Sequence, residues 1–247
     1  MTGPVFLLLL AAGVGSGLIG YLTGLASLVS YPVLLAVGLP PIGANVTNSV
    51  ALVGAGIGST AQGARHYLKT ERRQTLRECA LAAIGGIVGA VLLLVGGEGS
   101  FESIVPWLVL LASVLLLASP VITNLQGDHA APPRLYELLL FLVCIYGGYF
   151  GAGSGVIYLA ITALASQMSF EKSVFVKSLL LSVSNLAASL LFAFSGSINW
   201  LAALALGVGC VGGGYLGPIV QRLIPEPVLR WVIGLAGFAL AAWLWLR

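Results

Sequence analysis

The sequence predicts an all-α polytopic membrane protein made of two inverted repeats, its eight apolar segments read as six transmembrane helices plus two broken or re-entrant helices. Scarce charge, apolar stretches of membrane length and an internal repeat carry that prediction. Of 247 residues only 11 are basic and 8 acidic, 8% together, while 59% are apolar and 33 are glycine. A soluble domain carries charge on roughly a quarter of its residues. No charge precedes Arg65, none lies between Glu137 and Glu171, and none between Lys177 and Arg222. Each gap matches or exceeds the roughly 20 apolar residues that cross a bilayer as helix. The net charge of +3 is too small to suggest nucleic acid as a partner.

In chain order, the apolar segments cover residues 4–38, 44–64, 78–96, 104–122, 135–167, 173–195, 198–220 and 228–246. Met1 to Leu10 has the apolar run of a signal peptide but no cationic start, and more segments follow, so it is expected to be retained. The segments 4–38 and 135–167 are too long, because straight helices of that length run about 50 Å against a hydrocarbon core of roughly 30 Å. Each is interrupted by small residues, Tyr21-Leu-Thr-Gly-Leu-Ala-Ser27 in one and Tyr149-Phe-Gly-Ala-Gly-Ser-Gly155 in the other. The basic stretch 65–77, with Glu71 and Glu78, reads as a solvated topological anchor. Cys79, Cys144 and Cys210 lie singly in apolar runs, which argues against a disulfide or metal framework.

The interruptions belong to a repeat. Gly20-Tyr21 and Gly148-Tyr149 are 128 residues apart, Gly85-Gly86 and Gly212-Gly213 are 127 apart, and Trp107 and Trp231 are 124 apart. The chain therefore divides into a first membrane repeat, 1–125, and a second, 126–247. Basic residues favour the cytoplasmic side. If both long segments are re-entrant hairpins, ten of the 11 basic residues face inside, against seven if both cross once. Three crossings per repeat then invert the second copy, with loop 65–77 cytoplasmic and Glu98 and Glu102 external.

The combination of a glycine-rich break, a Gly-Leu-Pro turn and a small-polar helix start resembles the TauE/SafE family of sulfite exporters and organosulfonate permeases. The first copy carries it as Thr23-Gly-Leu-Ala-Ser-Leu-Val-Ser-Tyr-Pro32 and Gly38-Leu-Pro-Pro-Ile-Gly-Ala-Asn-Val-Thr47. The second carries Gly151-Ala-Gly-Ser-Gly155, close to the family's GxGGG, then Phe175-Val-Lys-Ser-Leu179, and the run Gly209 to Gly217 fits the family's seventh segment. The first GxGGG is degraded to Gly24-Leu-Ala-Ser-Leu28, and the second copy lacks a counterpart of Pro32. The resemblance implies a multi-pass permease of a bacterial-type cytoplasmic membrane for small anions, sulfite and organosulfur acids first among them.

A helix start carries unpaired N–H groups and about half a positive charge, and so binds anions without arginine. Thr23, Gly24 and Ser27 at one break, and Gly151, Gly153, Ser154 and Gly155 at the other, are candidates to hold a sulfonate; glycines that merely let helices pack are the bland reading. Asn45, Thr47, Asn48 and Ser49 crowd the start of the next segment, either lining a polar cavity or, for Asn45 and Thr47, capping their own helix. Lys177 and Ser178 occupy the corresponding place in the second copy, with Ser182, Ser184 and Asn185 further along. Lys177, the one cation inside an apolar segment, either neutralises a bound anion or snorkels to the interface beside Glu171 and Lys172.

The reading is a secondary permease working by alternating access, with no cofactor, no metal and no catalytic residues. Its expected partners are a small anion and the lipid bilayer, with a homodimer left open. A permease for another solute, a membrane-embedded accessory subunit without flux of its own, and an intramembrane enzyme are the alternatives. No Ser/His/Asp set, HExxH or Walker sequence supports the enzyme or an ATP-driven pump.

Overall fold

A computed structural model describes residues 2–61, 72–124, 132–166, 168–220 and 226–246, which form helices joined by short turns. In order these are α1 (Gly3–Thr23), α2 (Ser27–Ala36), α3 (Pro41–Thr60), α4 (Arg72–Asn124), α5 (Pro133–Tyr149), α6 (Ser154–Ala165), α7 (Phe170–Phe192), α8 (Trp200–Val220) and α9 (Glu226–Leu246). Proline opens α1, α3 and α5 within the first turn, where its missing N–H would have no helical partner. The helix α4 is broken at Gly97, whose φ of 69° and ψ of 179° are non-helical, into limbs 72–96 and 98–124.

Both over-long apolar segments stop and restart. The α1 helix ends at Gly24, at φ 78°, whose N–H donates to Gly20 O at 3.0 Å. The α5 helix ends before Gly151, also at φ 78°, whose N–H donates to Tyr146 O at 3.0 Å. Glycine bears such a left-handed residue without a Cβ penalty, and the cap returns the chain sharply. Beyond each cap, α2 folds back on α1 and α6 on α5 as hairpins. Gly20 lies against Ala26 and Gly15 against Val29, while Tyr146 donates to Ala152 O and Tyr136 meets Tyr158 hydroxyl to hydroxyl at 3.1 Å.

Small residues bring the longer helices together. Gly13 and Gly17 of α1 rest on Gly209 and Gly213 of α8, running in parallel; Gly85 and Gly89 on the first limb of α4 rest on Cys144 and Gly148 of α5, again in parallel. A Cβ at any of these glycines would overlap the facing backbone or side chain. Between these pairs, α3 and α7 run antiparallel: Ser182 donates to Val53 O at 3.3 Å, and Gly56 sits on Ser178 and Ser182. The second limb of α4 packs against α9, where Trp107 and Trp245 meet edge to face at 4.8 Å.

The molecule's outside is apolar, with Leu7, Ile84, Trp107, Leu201 and Trp231 each about half exposed or more. That surface suits lipid as its solvent. Gly3–Thr23, Arg72–Ala118, Glu171–Phe192 and Trp200–Val220 are long and apolar enough to span a membrane, and Ser27–Ala36, Ser154–Ala163 and Gly234–Leu246 are shorter apolar helices.

Two local expectations are corrected. Of the anchor expected over 65–77, residues 65–71 lie outside the described residues, and 72–77 are already helix. Glu78 is not solvated: it is buried nearly two turns inside α4 and accepts from Gln74 Nε2 at 3.0 Å. Asn45 and Thr47 do not cap their own helix, because Pro41 starts α3 a full turn earlier.

Candidate functional site

The two breaks touch. A Cβ on Gly24 would lie 2.5 Å from Gly155 Cα and 3.0 Å from Val156 N, so only a pair of glycines allows α1–α2 and α5–α6 to meet tip to tip. Beside this junction lies a cavity of about 60 Å³, several times the ~10–15 Å³ that holds one water. Its walls are two helix faces with helical spacing, Leu52, Ala55, Gly56 and Ser59 on α3 and Ser178, Leu181, Ser182 and Asn185 on α7. Gly24, Ser27, Gly151 and Ser154 close it at the breaks.

Lys177 forms part of that wall and is 1% exposed, so it does not snorkel. Its Nζ donates to Tyr21 O at 2.6 Å and to Gly20 O at 3.2 Å. These are the last carbonyls of α1, the negative end of that helix, and a cation is the favourable partner for them. An ammonium has three donors, so two bonds leave one for a ligand. The equivalent carbonyl of α5, Tyr149 O, is met by Asn45 Nδ2 at 2.8 Å. Each broken helix is thus finished by a side chain from the opposite half of the chain.

The hydroxyls are mostly committed. Ser154 donates to Gly151 O, Ser178 to Val174 O, Ser59 to Ala55 O and Ser182 to Val53 O, at 2.7 to 3.3 Å. Ser27 differs, since its Oγ accepts from Asn48 Nδ2 at 3.1 Å and keeps its proton to give. Ser27, Lys177 and the amide of Asn185 line the cavity with donors to offer. The N–H groups that open α2 and α6 are largely spent at the breaks themselves: Leu28 and Val29 donate to Leu25 O and Ala26 O, and Ser154 to Gly151 O, at 3.0 to 3.1 Å.

Of the twelve residues singled out by sequence, the structure gathers Gly24, Ser27, Gly151, Ser154, Lys177 and Ser178 on the cavity wall. Thr23 turns back to donate to Ile19 O, Gly155 supports Gly24, and Gly153 packs against Ala112. Thr47 Oγ1 accepts from Asn199 N at 3.1 Å, just ahead of α8. Asn45 and Asn48 lie behind the wall, bonded to the breaks. Gly20, Tyr21, Ser59, Ser182 and Asn185 are not among the twelve and do line the cavity. The spacing of Ser178, Ser182 and Asn185, at i, i+4 and i+7, is the signal that could have added Ser182 and Asn185 to the set.

Away from the cavity, an aromatic cluster of Tyr31, Phe101, Tyr149 and Phe150 packs between α2, the second limb of α4 and the second break. Tyr31, Phe101 and Phe150 are at most 2% exposed, and their ring centroids lie 5.4 to 5.9 Å apart along the cluster.

Comparison with known proteins agrees with the family resemblance of the sequence. The family model for the sulfite exporter TauE/SafE matches residues 9–244. The chain is 25% identical over 248 residues to the probable membrane transporter protein YfcA of Escherichia coli K12, covering 98% of this chain and 90% of that one. It is 25% identical to a probable membrane transporter protein of Haemophilus influenzae, over 95% of this chain and 92% of that one. A probable membrane transporter protein YunE of Bacillus subtilis is also 25% identical, over 88% and 89%. No solved structure matches.

Proposed function

Because the chain belongs to the sulfite exporter TauE/SafE family of membrane transporters, we propose that it is a secondary permease for a small sulfur-containing anion, sulfite or an organosulfonate, working by alternating access. The observation that carries the reading is the buried Nζ of Lys177 on a small cavity beside two meeting helix breaks. An anion there would receive hydrogen bonds from Lys177, Ser27 and Asn185. A cation buried in a membrane segment costs roughly 2.5–3.5 kcal/mol on insertion scales, and the carbonyls of Gly20 and Tyr21 offset part of that cost.

The two halves are read as inverted repeats, 1–125 and 126–247. Support for this comes from the same helix order in each half, the matching parallel pairs α1 with α8 and α5 with the first limb of α4, and the antiparallel crossing of α3 and α7. On this reading the cavity, bounded by the C-terminal turns of α3 and the N-terminal half of α7, faces the cytoplasm, and the aromatic cluster seals the other side. Rocking one hairpin pair past the other at Gly24 and Gly155 would exchange the two. The glycine faces that an accessory subunit could have offered to a partner are largely filled by helices of this same chain, which favours a transporter in its own right.

A thermal-shift screen of the purified protein tests the substrate class. Sulfite, thiosulfate, sulfoacetate or taurine should raise the melting temperature. Stabilisation by carboxylate analogues alone would overturn the sulfur-anion assignment.

A further inference from the structure

We propose that the amide oxygens of Asn45 and Asn48 form a site for a sodium-type monovalent cation, bound when an anion occupies the adjoining cavity. The proposal rests on the permease reading and adds the coupling ion to it. Asn45 and Asn48 are three residues apart on α3, so their side chains leave the same face with Cβ atoms roughly 5–6 Å apart. They are 0% and 1% exposed. Both spend the amide nitrogen on a break, Asn45 on Tyr149 O at 2.8 Å and Asn48 on Ser27 Oγ at 3.1 Å. Among the described residues, Oδ1 of each is left buried with no hydrogen-bond partner.

The orientation of Asn45 is set by chemistry, because a carbonyl only accepts. The amide nitrogen must face Tyr149 O, and the oxygen must point elsewhere. Two orphaned acceptors within one turn repel the oxygens of an anion and attract a positive charge. The C-terminal end of α5, which Asn45 touches, adds partial negative charge on the same side.

The ligand chemistry narrows the ion. Amide oxygens are hard donors suited to alkali and alkaline-earth cations. A divalent ion ordinarily recruits carboxylates, and neither Asn45 and Asn48 nor the residues they bond supplies one. A single positive charge in a low-dielectric site still needs a negative partner. Ser27 provides the connection, since it bonds Asn48 and also lines the anion cavity. A bound anion there supplies the charge the amides lack, and the bound cation offsets the anion in turn. Coupling of this kind is reciprocal by thermodynamic necessity.

The test measures sulfoacetate and sulfite binding to the purified full-length chain by thermal shift, in choline chloride, potassium chloride and sodium chloride at equal ionic strength. Sodium should tighten anion binding on the order of 5- to 150-fold relative to choline, with potassium weaker. N48D, which builds the missing negative charge into the site, should let sodium alone stabilise the protein without any anion. Equal anion binding in all three salts, with N48D indifferent to sodium, would overturn the cation site while leaving the permease reading intact. No response to any anion in any salt would overturn the permease reading and the cation site with it.

Discussion

At the first break the carbonyls that end α1 are met by the ammonium of Lys177, whereas at the second the Tyr149 carbonyl that ends α5 is met by the neutral amide of Asn45. Both ends carry the same partial negative charge of a helix C-terminus, and both borrow their cap from the other half of the chain. The neutral solution at the second break teaches that capping alone does not require a charge. A lysine held 1% exposed at the first therefore points to a further use for its positive charge, and the cavity it lines supplies one. The second break also lines that cavity, through Gly151 and Ser154, and takes its cap from Asn45, whose amide oxygen is buried without a hydrogen-bond partner among the described residues.

The comparison can be broken most severely at the contact between the breaks. Gly24→Ala should cost about 1–2 kcal/mol from its left-handed backbone alone, before the overlap with Gly155 is counted, and should show as a large fall in melting temperature with loss of transport. Lys177→Met should abolish the anion-induced thermal shift while lowering stability by about 1–3 kcal/mol, the range for leaving buried carbonyls without their donor. Its counterpart Asn45→Leu should cost about 1 kcal/mol and weaken the anion shift without abolishing it; equal loss in both variants would erase the distinction between the breaks. At the small end, Ser27→Ala should weaken anion binding roughly 3- to 10-fold, the worth of one hydrogen bond. Ser154→Ala, whose hydroxyl is already spent on Gly151 O, should change it less than about 2-fold in the same titration.

Much of this is legible in the sequence. Nineteen charges in 247 residues, 11 basic and 8 acidic, leave no alternative to a membrane protein, and the two over-long segments with glycine interruptions announce the breaks at Gly24 and Gly151 to Gly153. The residues of the site are less completely legible, because a sequence shows which side chains are polar but not which proton each one has already given away. Ser154 and Ser178 read as hydroxyl donors, yet both donate to their own backbone. Asn45 reads equally well as a cap for its own helix, and its partner is 104 residues away, a distance that local reasoning does not reach. Glu78 reads as part of a solvated anchor because charge near a segment end ordinarily means water; its burial follows from α4 starting by Arg72 and carrying that turn inward.

Central to the proposed function is that this chain by itself moves a small sulfur anion through a cavity that needs the charge of Lys177. The most direct test is uptake of radiolabelled sulfite by liposomes containing the purified protein alone. The wild-type chain should give saturable flux that sulfoacetate or another sulfur oxyanion competes away and that Lys177→Met removes. Sulfite flux no greater than in empty liposomes, or flux undiminished in Lys177→Met, would contradict it.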